Sequence, residues 1–223
     1  FEENLAGTGV GSAMGGAVYA SGSSVNVSAS RSTFVGNYAG SVPVSQGPSG
    51  YGGAIAAGFD ATVRVSECAF SHNAAGALGG QNGAAGGAIS CSENAFVLVE
   101  DSVFANNTAP FGNGGALSAS FAMISVSNCS FVNNTSPAPA QKYGLYGTGA
   151  AIGTYRNAFV NISNSSFIAN AAGGIYGAIA MNPVGGSNSI QLRVEGCSFE
   201  GNTAAEPNAT AIWVPDTSFN VEA

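Results

Sequence analysis

The sequence predicts an all-β chain: a right-handed parallel β-helix (solenoid) of about seven coils, with three short strands per coil. Three observations carry that expectation. Two short motifs alternate along almost all of the 223 residues. Apolar residues between the motifs recur with period two, the signature of a strand with one buried face. No helical period fits, and the strong helix formers Lys, Glu and Leu are scarce.

The first motif is small-Gly-Ala-aliphatic. It reads Gly15-Gly16-Ala17-Val18, Gly52-Gly53-Ala54-Ile55, Gly86-Gly87-Ala88-Ile89 and Gly114-Gly115-Ala116-Leu117. It continues in degraded form as Gly149-Ala150-Ala151-Ile152, Tyr176-Gly177-Ala178-Ile179 and Ala209-Thr210-Ala211-Ile212. The alanines are 27 to 37 residues apart. The aliphatic residue and the residue two later define an inward-facing strand. A second strand follows, as in Val63-Arg64-Val65 and Val160-Asn161-Ile162. The second motif, Phe-x-x-Asn, supplies a third short segment: Phe34/Asn37, Phe70/Asn73, Phe104/Asn107, Phe131/Asn134, Phe167/Asn170 and Phe199/Asn202, with Phe1/Asn4 opening the chain.

A single coil of this kind cannot bury its inner face, but a stack can. At roughly 4.8 Å per coil the stack would be on the order of 34 Å tall. The phenylalanines would form an internal aromatic column. The asparagines would form a buried amide ladder at a corner, where asparagine also tolerates a left-handed backbone. The glycines allow a tight corner. Ser32, Cys68, Ser102, Cys129, Ser165 and Cys197 stand two places before each phenylalanine and would fill one small inward slot.

Composition excludes several functions. The formal net charge is -7 and 8% of residues are charged, against about 25% in an ordinary domain. Arg31, Arg64, Lys142, Arg156 and Arg193 are the 5 cations, too few for a nucleic-acid footprint or for attraction to anionic lipid. No apolar run approaches the roughly 18 residues of a membrane span, so this segment is not expected to insert. No secretory leader opens the chain, so any such signal is expected to be absent or already removed. The chain is read as a single domain over 1–223, or as a window of a longer β-helix.

Alternating GGA(I/L/V) and FxxN repeats resemble those of the chlamydial polymorphic outer-membrane proteins and related large surface proteins, algal ones included. The resemblance covers roughly Phe1 to Ile212. It implies a right-handed β-helix serving as a surface-exposed stalk or adhesin. The chain departs from that family in lacking its membrane β-barrel part and in losing the double glycine from the later repeats.

No catalytic constellation emerges. Glu67 and Asp101 share one slot on adjacent coils and read as a solvated pair. His72, the sole histidine, reads as a corner residue. No metal-ligand spacing is found, and no metal or cofactor is expected. Cys68, Cys129 and Cys197 fall in one column on alternate coils, about 9 to 10 Å apart, beyond disulfide reach. With Cys91 on another strand, four free thiols and no disulfides are expected.

Asn-x-Ser/Thr sequons nominate Asn26, Asn106, Asn128, Asn133, Asn161, Asn164 and Asn208 for N-glycosylation, while Asn134 belongs to the buried ladder. Glycans would supply the hydration that charge does not. The motif alanines and their i+2 neighbours, such as Ala54/Ala56, Ala88/Ser90 and Ala116/Ser118, are expected to form a flat outward strip ending at Tyr19 and Trp213. Long insertions lie at 41–51, 74–85, 135–148 and 182–190, the third carrying Tyr143 and Tyr146. Both termini fall inside a repeat, which suggests stacking of subunits end to end.

The functional expectation is a non-enzymatic extracellular or cell-surface structural β-helix, a glycosylated stalk or filament subunit whose partners are itself and its glycans. An adhesin gripping a host surface or glycan, and a pectin-lyase-like carbohydrate-active enzyme, are the alternatives.

Overall fold

The computed structural model describes residues 1–7, 12–40, 50–76, 84–110, 112–137, 149–174, 176–182, 191–205, 210–214 and 219–222. Every strand pairing in it is parallel, and it contains no helix among these residues. The chain winds as a parallel β-solenoid of about five turns. About seven coils were expected, so the count differs while the fold class holds.

The first strand of each coil starts at the motif aliphatic residue. Val18–Ser21, Ile55–Gly58, Ile89–Ser92, Leu117–Ser127, Ile152–Ser163, Ile179–Asn182 and Ile212–Trp213 lie side by side in one sheet. Second strands such as Asn26–Ser30, Thr62–Ser66 and Phe96–Glu100 pair in the same register. In the coils of Leu117–Ser127 and Ile152–Ser163, first and second strands run together as one strand of 11 or 12 residues. The register shifts between Ser120 and Ala122, where the two strands are separate in other coils. The phenylalanine strands, from Thr33–Val35 to Ser198–Glu200, form a second sheet of six. Each coil was expected to hold three strands, yet a further two-residue strand follows the ladder asparagine, as in Tyr38–Ala39, Ala74–Ala75 and Ala171–Ala172.

The period-two pattern sorts the side chains. Ile55, Ile89, Leu117, Ile152 and Ile179 are fully buried in one column. Val63, Val97, Ile124 and Val160, and beside them Val65, Val99, Val126 and Ile162, fill the next two. The aromatic column runs unbroken from Phe1 to Phe199 with centroids 4.6 to 4.9 Å apart and planes within 0 to 7° of parallel. That pitch is the strand spacing of a sheet. It exceeds the contact distance of about 3.5–4.0 Å between carbons, so the rings stack with an offset, the favoured geometry for parallel rings.

Within the stack the asparagine column closes every valence. Asn73 Nδ2 donates one hydrogen to Asn107 Oδ1 in the next coil (2.9 Å) and the other to the Phe34 carbonyl in the previous one (2.9 Å). Asn107 Oδ1 also accepts the Asn73 backbone N–H at 3.0 Å. The same three contacts recur at Asn37, Asn107, Asn134 and Asn170. Asn37, Asn73, Asn107, Asn134 and Asn170 are 0% exposed.

Asn202 joins the ladder as expected. It is half-buried, as is Phe199 three residues before it. Asn202 Oδ1 still accepts both Asn170 hydrogens, from the backbone N–H at 3.0 Å and from Nδ2 at 2.9 Å. Its own Nδ2 donates to the Phe167 carbonyl at 2.8 Å.

The corner geometry also differs from expectation. The left-handed residue is not the ladder asparagine but the one before it: Gly36, His72, Asn106, Asn133, Ala169 and Gly201 have φ between 53 and 63°. A second left-handed corner, φ 44 to 59°, precedes the Ser/Cys slot at Arg31, Glu67, Asp101, Asn128, Asn164 and Gly196. Two such corners bracket each phenylalanine strand. This leaves the ladder asparagine free to turn its amide inward. In the first motif the two glycines answer different demands. Gly52 holds φ 63°, whereas a Cβ on Gly53 would meet the Gly87 carbonyl oxygen of the next coil at 2.1 Å.

Two substitutions test these statements. Asn107→Asp removes both amide donors and places a carboxylate where nothing solvates it. We expect a loss of about 3 kcal/mol or more at pH 7. Because burial raises the folded carboxyl pKa, stability returns as the pH falls through that raised value towards about 3.9. Urea unfolding at several pH values reads this directly, and a pH-independent loss would contradict it. Ala169→Gly relieves a left-handed alanine (φ 54°) and should stabilise by about 1 kcal/mol. A lowered urea midpoint would show that the corner is not strained.

Candidate functional site

Six of the sequon asparagines, Asn26, Asn106, Asn128, Asn133, Asn161 and Asn164, are exposed, and Asn208 lies outside the described residues. Asn134 is buried with its amide fully bonded. Four of the exposed ones have a backbone reason to be asparagine. Asn128 and Asn164 occupy the corner before the slot, and Asn106 and Asn133 the corner before the ladder. Asparagine is among the side chains that best tolerate positive φ.

Their downstream hydroxyls also have a structural task. Ser166 Oγ donates to Ser130 Oγ at 3.1 Å, and Thr135 Oγ1 to Thr108 Oγ1 at 3.0 Å, each across one coil step. Those four sequons therefore coincide with two structural columns. Asn26 and Asn161 are different: both project from second strands, at exposed positions that no corner demands.

The Ser/Cys slot proves to be a hydrogen-bond relay. Each slot side chain donates to the carbonyl two residues back: Ser102 Oγ to Glu100 (2.7 Å), Cys129 Sγ to Ser127 (3.1 Å), Ser165 Oγ to Ser163 (2.8 Å). It also accepts a backbone N–H from the coil before, as Ser102 Oγ does from Cys68 (3.0 Å) and Ser165 Oγ from Cys129 (3.1 Å). A small side chain that both donates and accepts is needed, so size alone does not explain the alternation of serine and cysteine. The sequence showed that alternation but not the relay, which depends on the left-handed corner beside it.

All four cysteines carry free thiols. Burial pushes the Cys91 thiol up to about 12, opposed in part by its contact with the Met123 carbonyl. Burial likewise raises Cys129 to about 11. Both stay protonated in the fold where the unfolded chain would ionise near the ordinary value of 9.0. Their contribution to stability is therefore intact below pH 9 and lost as the pH rises towards 11 to 12. We expect urea midpoints to fall over that range, and the fall to shrink in a Cys91→Ala, Cys129→Ser double variant. An identical slope in both proteins would assign it to other groups.

Glu67 and Asp101 are exposed at equivalent left-handed corners, and His72 is exposed at the other. Their place in the backbone explains them. Among the described residues no three His, Cys, Asp or Glu side chains gather to hold a metal ion, and no helix is long and apolar enough to cross a membrane. The loop residues Tyr143 and Tyr146 lie outside the described residues.

The flat outward strip requires correction. The motif alanines Ala54, Ala88, Ala116, Ala151 and Ala178 are 0% exposed members of the main core. The glycine pair turns the chain so that the alanine enters the core at the corner rather than facing out. What remains outward is a narrower column in register, Tyr19, Ala56, Ser90, Ser118, Gly153, Ala180 and Trp213. Between Tyr19 and Tyr155 this column floors a trough of about 590 Å³. Met14 and Tyr51 line it where the strands enter, and Phe59, Phe121 and Arg156 where they leave. Phe59, Phe121 and Arg156 are left-handed corner residues that a repeat alignment passes over as turns.

No protein-family model matches this chain, and searches of curated proteins and of solved structures find none similar to it.

Proposed function

We propose that this β-solenoid is a non-enzymatic structural element, a stalk or filament segment at the cell surface or in the extracellular matrix. The observation that carries the reading is the continuity of the internal columns. Aromatic, amide and aliphatic columns pass from coil to coil without a break in register, from Phe1 to Phe199 in the aromatic case. Such a body resists bending, because bending would open many stacked contacts at once. Low surface charge favours close approach of copies, so self-association is part of the proposal. N-glycans are proposed first at Asn26 and Asn161, which no backbone demand explains. The likeness of the paired motifs to polymorphic outer-membrane protein repeats supports the surface placement.

Electron microscopy of the native material tests this. Rods or filaments with a fibre-diffraction repeat near 4.8 Å are expected, with glycan mass at Asn26 or Asn161 by peptide mass spectrometry. Discrete compact particles would overturn the assembly reading. Release of reducing ends from a polysaccharide by the purified chain would overturn the non-enzymatic one.

A further inference from the structure

We propose that the trough on the outer face of the first strands binds a neutral glycan chain laid along the solenoid axis. The decisive feature is the pair of hydroxyls on its floor. Ser90 and Ser118 are Cα partners on adjacent coils, 5% and 2% exposed. Both line the trough, and among the described residues neither hydroxyl has a hydrogen-bond partner. Neither oxygen is sealed from solvent. The asparagine and Ser/Cys columns pair their buried polar groups, and the sealed buried side-chain atoms left without a partner among the described residues are Ser136 Oγ and Asn157 Oδ1, neither of which lines the trough. Two unanswered hydroxyls in a groove are therefore groups that a ligand can satisfy, and leaving such groups unpaired on binding is costly.

The rest of the trough narrows the ligand. Tyr19 and Phe59, 49% and 51% exposed, and Phe121 at 39% offer open aromatic surface around a floor of small side chains. Sugar rings present C–H faces to aromatics and hydroxyls to serines, so they match both features. Arg156 and Glu93 place one charge of each sign in the lining, which selects no strongly charged polymer. An extended peptide finds no free backbone here, since the floor is the face of a sheet whose strands are paired on both sides. A purely apolar ligand would strand both hydroxyls. The proposal stands independently of whether the chain assembles into filaments.

The test is affinity electrophoresis of the whole chain through native gels containing hydroxyethylcellulose, glucomannan or laminarin, with polygalacturonate as the charged comparison. Retardation by at least one neutral polymer is expected. The Ser90→Ala, Ser118→Ala double variant should weaken it roughly tenfold. Alanine already occupies this column at Ala56 and Ala180, so the variant should keep the parent's melting temperature. Phe121→Ala should also weaken binding, and Ser125→Ala on the second strand should not. Absence of retardation by all three neutral polymers would overturn the proposal. So would retardation unchanged in the double variant, or stronger retardation by polygalacturonate. Self-association of the parent that the double variant abolishes would give the trough to a second copy of the chain, and would equally overturn it.

Discussion

The structure depends on keeping every coil in register with the next, and the buried amide column is the interaction that enforces it. Stacked phenyl rings and aliphatic columns favour contact, but apolar contact is non-directional and tolerates sliding. An asparagine amide does not. Its two hydrogens and its oxygen find partners only when the hydrogen bonds from coil to coil are aligned. A slip by one residue would strand donors and acceptors that water cannot reach, at a cost of about 1–3 kcal/mol for each group. It would also turn each strand's apolar side chains outward. The asparagine column thus sets the register, and the aromatic and aliphatic columns supply the burial.

Low charge follows from the same arrangement. Each repeat commits a few polar side chains to columns: the asparagines at one corner and the Ser/Cys relay at another, with the paired hydroxyls of Thr108 and Thr135 outside them. Between columns the coils are joined by backbone ladders that leave no space for long side chains, as the contact of Gly53 with the next coil illustrates. The ion pair of Arg193 with Glu195 accordingly sits on the exposed face of a strand, outside the columns. Cohesion comes from repetition of short-range contacts rather than from salt bridges.

The repeat made much of this legible in the sequence. The spacing of Phe-x-x-Asn was enough to foresee the aromatic and amide columns, because a period in sequence becomes a column in space once coils stack. The period-two run from Ile55 or Ile89 gave the inward strand. Other features were not legible. The left-handed corner falls on the residue before the ladder asparagine, where Gly36, His72 and Ala169 share no chemistry. The motif alanine is turned into the core by its glycine pair, which period-two counting cannot anticipate. The Ser/Cys relay required knowing which backbone N–H each slot faces. These three are corner properties, and corners depend on backbone torsion rather than on side-chain pattern. Asn202 illustrates a different limit: its motif matches the others, yet it is half-buried where those from Asn37 to Asn170 are fully buried, and a motif read one copy at a time does not carry that.

Those same corners are where the coils differ from one another, and this bears on where specificity can reside. The inner columns admit little variation, since each position must match its neighbours above and below. A corner residue with positive φ points away from the stack and is constrained by torsion alone. Hence Phe59, Glu93, Phe121 and Arg156 can differ from coil to coil at no cost to the columns. Arg156 lies 5.5 Å from the Phe121 ring and 5.1 Å from that of Tyr155, so adjacent coils already cooperate in shaping the outer surface. The merging of first and second strands in two coils changes how that corner projects. A regular interior thus carries an irregular rim, and the trough between Tyr19 and Tyr155 is bounded by that rim. A rigid rod with variable corners can acquire a binding surface without altering what holds it together, and the unpaired Ser90 and Ser118 lie on that surface rather than in the amide or Ser/Cys columns.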